Sequence, residues 1–395
     1  MAIILELPEK KSRPSGPVSH DAKASEWKVE TVTDYEALLW LQPAWDRLAE
    51  GLDASLPFLS HAWTRTWWES FGAGKELHVL LVKQGEELKA IVPLMLSWEK
   101  IHGMRVRRLG FLYNYHTPRC DFLTARDAKE ACRPIWKYLK ENMTLWDFLD
   151  FCQMPADSES LQAIRVLAYD DGFCPEIRES RPSPYVRIGA WDDYHGGLSR
   201  KHRGNLKSSH NRLAGLGRVR FEEISAEGEI GQALHDGFQL EAASWKGKNG
   251  TAITSDEATR RFYMGFAARA ARRGWLRLHF LASNQRRIAF DYSIRYGNKQ
   301  YGLKLGYDPA YSAYSPGHLL CLYTLKEAFE RGLSEFDFAG VDDKWKLRWT
   351  RLSRPHSWLY VFSKSLRGRM LHQIKFRILS CLRGRCRRPA APAGT

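Results

Sequence analysis

Cysteine is scarce and unpatterned in this chain. The seven cysteines among 395 residues (Cys120, Cys132, Cys152, Cys174, Cys321, Cys381 and Cys386) are an odd number without C-x-x-C spacing, which argues against a disulfide framework or a zinc site. They read as small, buried, reduced thiols. Long apolar runs are missing too, since no window approaches the roughly 18 uninterrupted apolar residues that a membrane span needs. The opening Met1-Ala-Ile-Ile-Leu-Glu-Leu7 is too short and too acidic for a secretory signal, so a cytoplasmic location is expected. There is no Gly-x-Ser-x-Gly elbow and no cysteine with a convincing histidine partner, so the sequence advertises no covalent acyl-enzyme chemistry.

Acidic residues stop at Asp343. Residues 344–395 hold 14 Lys and Arg, which leaves 46 basic against 45 acidic residues in the first 343, so the net charge of +15 belongs to the tail. What is plentiful is core material, 44% hydrophobic and 12% aromatic. A chain of this length exceeds what one core serves, and two units of about 150 to 200 residues are expected. The reading is a flexible leader over 1–26, a first lobe over 27–190, a second over 191–360 and a basic tail over 361–395.

The stretch from Gly297 to Thr350 is the most telling. Gly297-Asn298 is a two-residue hairpin signal feeding a strand from Tyr301 to Tyr307. Leu319, Leu322, Leu325 and Phe329 then fall on one helical stripe, closed by Arg331 and Gly332, which predicts a helix over 316–331. Ser315 is the expected N-cap, Pro316 suits the first helical position, and Gly317 would let an anionic group approach backbone N–H groups that have no partner inside the helix. A strand follows at Glu335–Ala339.

The first half shows the same order. A tryptophan-rich helix (61–71) precedes strands over 77–83, 88–97 and 106–111, a helix near 128–142 and a strand over 146–151. These match 275–282, 287–296, 300–307, the helix to Arg331 and 335–339. A duplication is read from this. The first copy has no Ser-Pro-Gly before its helix, so a donor should bind the second copy while the first shapes the acceptor cleft.

The words Glu241-Ala-Ala-Ser-Trp-Lys-Gly247, Arg287-Ile-Ala-Phe290, Leu303-Lys-Leu-Gly-Tyr-Asp-Pro309, Tyr314-Ser-Pro-Gly317, Phe336-Asp-Phe-Ala-Gly340 and Trp345-Lys346 stand in this order over roughly 195–350. The set resembles the GNAT acyl-CoA transferases of the CelD/BcsL (BioF2-like acetyltransferase) type, related to the Fem peptidyltransferases. The resemblance implies an α/β (α+β) fold of tandem GNAT-like lobes, each a mixed, mostly antiparallel sheet flanked by helices. It implies acyl-CoA, acetyl-CoA first, as donor and no metal. The family's phosphate signature Gln/Arg-x-x-Gly-x-Gly/Ala is not present, and Ser315-Pro316-Gly317 stands in its place.

On this resemblance the donor's pyrophosphate lies over Gly317 and His318, with Ser315 and Leu305 beside it, and the carbonyl meets the strand 303–307. Asp308 is the first candidate base, at the strand's end, and Asp291 on the neighbouring strand is the second; each also has a structural reading, as a turn opening and as a buried hydrogen-bonding group. Glu241, Trp245 and Lys246 before a flexible loop, and Trp345 with Lys346 after the last strand, are expected at the acceptor. A small-molecule or glycan-precursor acceptor in cellulose or exopolysaccharide production is implied. A Fem-type transfer from aminoacyl-tRNA and a non-catalytic accessory role are the rivals.

Between the copies, residues 198–213 form a basic segment, read as a solvated connecting helix or as Arg200, Lys201, Arg203 and Lys207 facing an anion. In the tail, Leu366, Met370, Leu371, Ile374, Ile378 and Leu382 make a helical stripe flanked by cations, an amphipathic helix suited to an anionic membrane surface through 361–388. Packing on the body and nucleic-acid binding are its other readings, although no long basic coiled-coil arm like that of tRNA-using Fem relatives is visible.

Overall fold

The computed structural model describes residues 26–51, 56–101, 103–126, 129–244, 247 and 249–378. The strands are β1 (Trp27–Val32), β2 (Glu76–Gln84), β3 (Glu87–Ile101), β4 (Met104–Phe111), β5 (Leu123–Thr124), β6 (Phe148–Pro155), β7 (Pro175–Arg187), β8 (Val219–Ile224), β9 (Leu276–Ser283), β10 (Arg286–Tyr296), β11 (Lys299–Tyr307), β12 (Glu335–Asp337) and β13 (Ser353–Phe362). They form one mixed sheet in the order β1-β2-β3-β4-β6-β13-β7-β12-β11-β10-β9-β8, with β5 paired to β3.

That order displays the duplication. Strands β1 to β4 and β8 to β11 are antiparallel meanders, and each meander ends on a parallel neighbour, β6 beside β4 and β12 beside β11. The sixth strand of each copy crosses over: β7, from the first half of the chain, pairs with β12 of the second copy, and β13, from the end, pairs with β6 of the first. These two strands pair with each other at the centre of the sheet. Neither half of the sheet is complete without a strand from the other.

Local chemistry explains the elements. Helix His61–Phe71 is N-capped by Ser60, whose hydroxyl accepts the Trp63 N–H at 3.2 Å. Its Trp63 and Trp67 are turned inward and almost fully buried. The Trp63 ring meets Phe262 and Phe266 of helix Glu257–Arg272 edge-on, with centroids 5.0 and 4.7 Å apart. A single core on this face draws from both copies, while the opposite face carries a separate core for each. The expected mixed α/β architecture of sheet and flanking helices is what the chain adopts. Among the five described cysteines all are free and four are buried, Cys174 being exposed; Cys381 and Cys386 lie outside the described residues.

The basic segment is helix Arg200–Ala214, whose His202, Leu206, Ser209 and Leu213 face inward while Arg200, Lys201 and Lys207 are exposed. In the tail, helix Leu366–His372 buries Leu371 against Phe148, Tyr360 and Phe362 but leaves Leu366 and Met370 exposed. Residues 379–395, including Leu382 of the predicted stripe, lie outside the described residues. No helix among the described residues is long and apolar enough to cross a membrane.

Candidate functional site

The site forms where the sheet splits. Strands β11 and β12 pair in parallel over Lys299–Tyr301 and Glu335–Asp337, and then part. On the β11 side a bulge drives the separation: Tyr292 faces Lys304 while Ser293 faces Gly302, so Leu303 is an extra residue that bends the strand. On the β12 side Ala339 and Gly340 turn the chain away with φ of 47° and 54°. Lys346 holds that turn, its Nζ donating to the Ala339 and Val341 carbonyls at 2.7 and 2.9 Å.

The resulting cavity is about 670 Å³ and lies between Gly302, Leu305 and Tyr307 on one wall and Gly317, Phe338 and Trp345 on the other. Its outer corner is the start of helix Pro316–Glu330, the site helix. Ser315 is not the side-chain cap that its sequence position suggests. It adopts a left-handed conformation with φ 51° and ψ 49° and makes no capping hydrogen bond through its hydroxyl. Its carbonyl instead accepts the His318 and Leu319 N–H groups at 3.0 and 3.1 Å. The His318 amide is therefore used within the helix, and the Gly317 N–H, at the second helical position, is the one without a carbonyl behind it.

Gly317 lies close to β11: a Cβ there would stand in ordinary contact, 3.4 Å from Tyr307 Cδ1 and 3.7 Å from Leu305 Cδ2. The His318 ring lines the cavity, and its Nδ1 is buried without a hydrogen-bond partner among the described residues. Burial, with His202 and Arg348 nearby, pulls its pKa down to about 4, so the ring is neutral at pH 7.

At the inner end of the cavity is Asp291, almost fully buried. Its Oδ2 accepts from the Ser293 hydroxyl and lies 3.1 Å from His279 Nδ1. Nε2 of the same imidazole lies 3.1 Å from Glu327 Oε2 on the site helix. Burial works against the charged ring, but hydrogen bonds to Asp291 and Glu327 outweigh it and push the His279 pKa up to about 9. Glu327 is held well below the usual carboxylate range despite its burial, because His279 and Glu223 hydrogen-bond to it. Glu223 goes up, through burial and the proximity of Glu327.

This network sets a pH dependence. The folded pKa of His279 lies above the ordinary 6.5, so the stability it contributes is complete below about pH 6.5 and is lost as pH rises through about 9. At 1.36 kcal/mol per pKa unit this is about 3 kcal/mol. Denaturant titrations at pH 6.5 and 9.5 should show that loss in the wild type, and His279→Gln should remove most of it.

The structure brings Asp291, Leu305, Ser315, Gly317, His318, Trp345 and Lys346 to one cavity. It places Asp308 elsewhere. Asp308 Oδ1 accepts the Ala310 N–H at 2.9 Å, capping the turn after it, and Oδ2 pairs with Arg286 at 2.7 Å, in a shallow depression on another surface. The Asp-Pro dipeptide opens a turn here, and Asp308 faces away from the cavity. Glu241 packs behind β11, where a Cβ on Gly306 would collide with its backbone, and its Oε2 accepts the Ile253 N–H at 2.8 Å, holding the following loop. Trp245 and Lys246 lie outside the described residues. Lys346 lines the cavity, but its ammonium is engaged by carbonyls as described. His279 and Glu327, which the sequence reading did not single out, are the additions.

In the first copy the corresponding corner is closed. The rings of Phe111, Phe122 and Phe151 meet there at centroid distances of 5.3 to 5.9 Å, and the Cys120 N–H crosses the gap to the Gln153 carbonyl at 3.1 Å.

Residues 200–347 match the family model described as an acetyltransferase (GNAT) domain. FemX has a similar structure, with a TM-score of 0.56 at 11% identity, covering 88% of this chain and 99% of its own. The C-terminal (DUF2156) domain assigned to a lysylphosphatidylglycerol synthetase from Agrobacterium fabrum is similar at TM-score 0.51 and 11% identity, covering 86% of this chain and 96% of its own. A protein of unknown function from Bacteroides thetaiotaomicron gives 0.51 at 12%, with 82% and 97% covered. No curated protein matches in sequence. At such identities the likeness is one of fold. Residues 200–347, with the split strands and the site helix, are thus similar to a GNAT-type acetyltransferase domain, inside a two-copy fold like that of FemX.

Proposed function

We propose that the protein moves an acyl group, acetyl first, from acyl-CoA to an amine or hydroxyl of a sugar or cell-envelope precursor by direct attack. The observation that carries this reading is the open cavity between β11 and β12 ending on Gly317, set against the aromatic plug at the matching corner of the first copy. The residues fit such a donor: a helix start with an available amide suits a phosphate, the neutral His318 offers a buried unpartnered nitrogen, and the wall of β11 suits an extended chain. When bound, the donor supplies an acyl carbon already activated as a thioester.

The chain's own residues supply placement and electrostatics, which account for much of the rate in such transfers. Gly317 and Ser315 orient the phosphate end, the β11 backbone from Gly302 to Tyr307 aligns the reactive end, and Asp291, at the inner end of the cavity, is the carboxylate that takes a proton; Asp343, which also lines the cavity, stands 3.8 Å from the Lys346 ammonium. The CelD/BcsL resemblance assigns the process to cellulose or exopolysaccharide production. The exposed Leu366 and Met370, flanked by exposed Arg367 and Arg369, would bring the protein to an anionic membrane surface where envelope precursors reside.

Transfer from an aminoacyl-tRNA is the second reading, favoured by the full-length likeness to FemX. The two separate in one assay. Acetyl-CoA with a panel of amino sugars and simple amines should release free thiol at least tenfold faster than acetyl-CoA alone. Release that stays at background, with transfer appearing only on addition of charged tRNA, would replace the first reading by the second.

A further inference from the structure

We infer that His279 and Glu327 form a positioning dyad for Asp291, pinning one carboxylate oxygen so that the other faces the cavity as acceptor of the nucleophile's proton. This rests on the acyl-transfer reading above and adds to it two residues that do not touch substrate.

The geometry is that of an oriented side chain. Asp291 Oδ2 is engaged twice, by the Ser293 hydroxyl and by His279 Nδ1. Oδ1 is directed toward Gly302, 3.7 Å from where a Cβ on that residue would stand, at the apex where β11 leaves β12. His279 is fully buried and cannot rotate freely. Both ring nitrogens face carboxylates, and the ring stacks on Phe221 at 5.4 Å and 15°. Glu327 belongs to the helix whose first turn forms the cavity's outer corner, so the dyad ties the proposed base to the element that would hold the donor.

Every charged neighbour takes part in this arrangement. Arg331 on the site helix donates to Glu327 at 2.5 Å and to Glu223 at 3.0 Å, Arg295 of β10 reaches Glu327 at 3.4 Å, and Arg277 of β9 pairs with Glu223 at 3.2 Å. Glu223, His279 and Glu327 are close enough together to hold a cation by spacing alone. The guanidinium groups already on those oxygens oppose one. A buried ionic chain is costly compared with apolar packing, and this one ends on a carboxylate inside the cavity. The raised pKa of His279 keeps the ring charged at neutral pH, so its Nδ1 carries a proton toward Asp291 Oδ2, 3.1 Å away.

The step balances without a further reactant. As the nucleophile's nitrogen or oxygen bonds to the acyl carbon, its proton passes to Asp291 Oδ1. The carbon–sulfur bond breaks with its electron pair on sulfur, and the sulfur takes the proton back from Asp291, leaving the carboxylate as it began.

The test measures thiol release from acetyl-CoA with glucosamine and an amine panel, and acetyl-CoA affinity by calorimetry, in wild type, Asp291→Asn, His279→Gln and Glu327→Gln, each checked by circular dichroism. Acetyl-CoA Kd is expected to stay within about threefold throughout. Asp291→Asn should lose at least 100-fold in kcat. His279→Gln and Glu327→Gln should each lose about tenfold with the acceptor KM little changed; the alkaline fall of kcat near pH 9 should vanish in His279→Gln and move to lower pH in Glu327→Gln. Should His279→Gln not fold, nitrogen NMR of the wild type serves instead, with both ring nitrogens of His279 expected to be protonated at pH 7. Wild-type kcat and pH profile in Glu327→Gln, or a neutral ring, would overturn the dyad alone. Absence of acetyl-CoA binding by the wild type would bring down the acyl-transfer reading and the dyad with it.

Discussion

Gly302→Val should weaken acetyl-CoA binding at least 100-fold while leaving the protein folded. The nearest atoms to a Cβ at this position are Asp291 Oδ1 and Phe336 Cζ at 3.7 Å and the Asp337 carbonyl at 3.9 Å, so the first carbon fits in ordinary contact. The two further methyl groups have only the apex of the cavity to occupy. Gly302 does not have a positive φ, and valine favours strands, so the backbone carries little strain. Affinity should fall at least 100-fold by calorimetry, equal to about 2.8 kcal/mol at 1.4 kcal/mol per factor of ten. The thermal midpoint without ligand should move by no more than about 3 °C, within the roughly 2 to 4 °C that 1 kcal/mol produces in a domain of about 150 to 250 residues. A variant that still binds acetyl-CoA as the wild type does would place the donor outside this cleft.

Asp337→Asn should destabilise the fold more than any surface substitution. Asp337 is fully buried at the end of β12, and its Oδ2 pairs with Arg119 Nη2 at 2.5 Å and Arg354 Nη1 at 2.9 Å. Arg119, 1% exposed, comes from the loop after β4 in the first copy and also donates from Nε to His356 Nε2 on the exchanged strand β13 at 3.0 Å. Three segments from both ends of the chain are thus held at one carboxylate, directly beneath the split in the sheet. Burial, with Arg119 beside it, pulls His356 down to about 4 and keeps it a neutral acceptor. Neutralising Asp337 leaves the Arg119 charge buried without its counterion, a change that costs about 3 to 5 kcal/mol. Denaturant titration should show that loss, and the double substitution Arg119→Met with Asp337→Leu should recover most of it. By contrast, removing the exposed pair Arg181–Asp342, 58% and 30% accessible, should cost under about 1 kcal/mol.

The parts of this site that were legible in the sequence are the parts set by local backbone chemistry. Gly297 turns the hairpin with φ 57°, and Gly332 ends the site helix with φ 64°, so β11 and the helix fell where glycine and proline punctuate the chain. The duplication was legible because order survives divergence. The strand exchange was not. β7 contains Pro175, Pro182 and Pro184, which argue against an interior strand, and Pro182 is accommodated only because the pairing with β13 shifts register between Arg354 and His356. Its partners, such as Glu335 opposite Arg187 and Val361 opposite Pro175, come from far along the chain, beyond any local pattern.

Two bulges concealed the chemistry. In the β9–β10 hairpin Arg287 faces Ala282 while Ala289 faces Leu281, so Ile288 is extra; a regular ladder from the turn would set Asp291 opposite Leu278, whereas the bulge delivers it to His279. In β11 the extra Leu303 reverses the alternation, so Tyr301 and Leu303 join the core shared by both copies while Leu305 and Tyr307 turn to the site helix. One inserted residue flips every later side chain. Asp308 is read from its place at the strand's end alone; Asp291 is legible as a carboxylate interrupting an apolar face, the kind of burial that demands partners.

Hydrogen exchange of the wild-type protein with and without acetyl-CoA tests the account most directly. Protection should appear over 302–307 and 316–321, on the two walls of the split sheet, with the first copy's equivalent segments, 111–116 and 132–137, unchanged. Protection in the first copy instead, or no change in either, would contradict the assignment of the donor to the second.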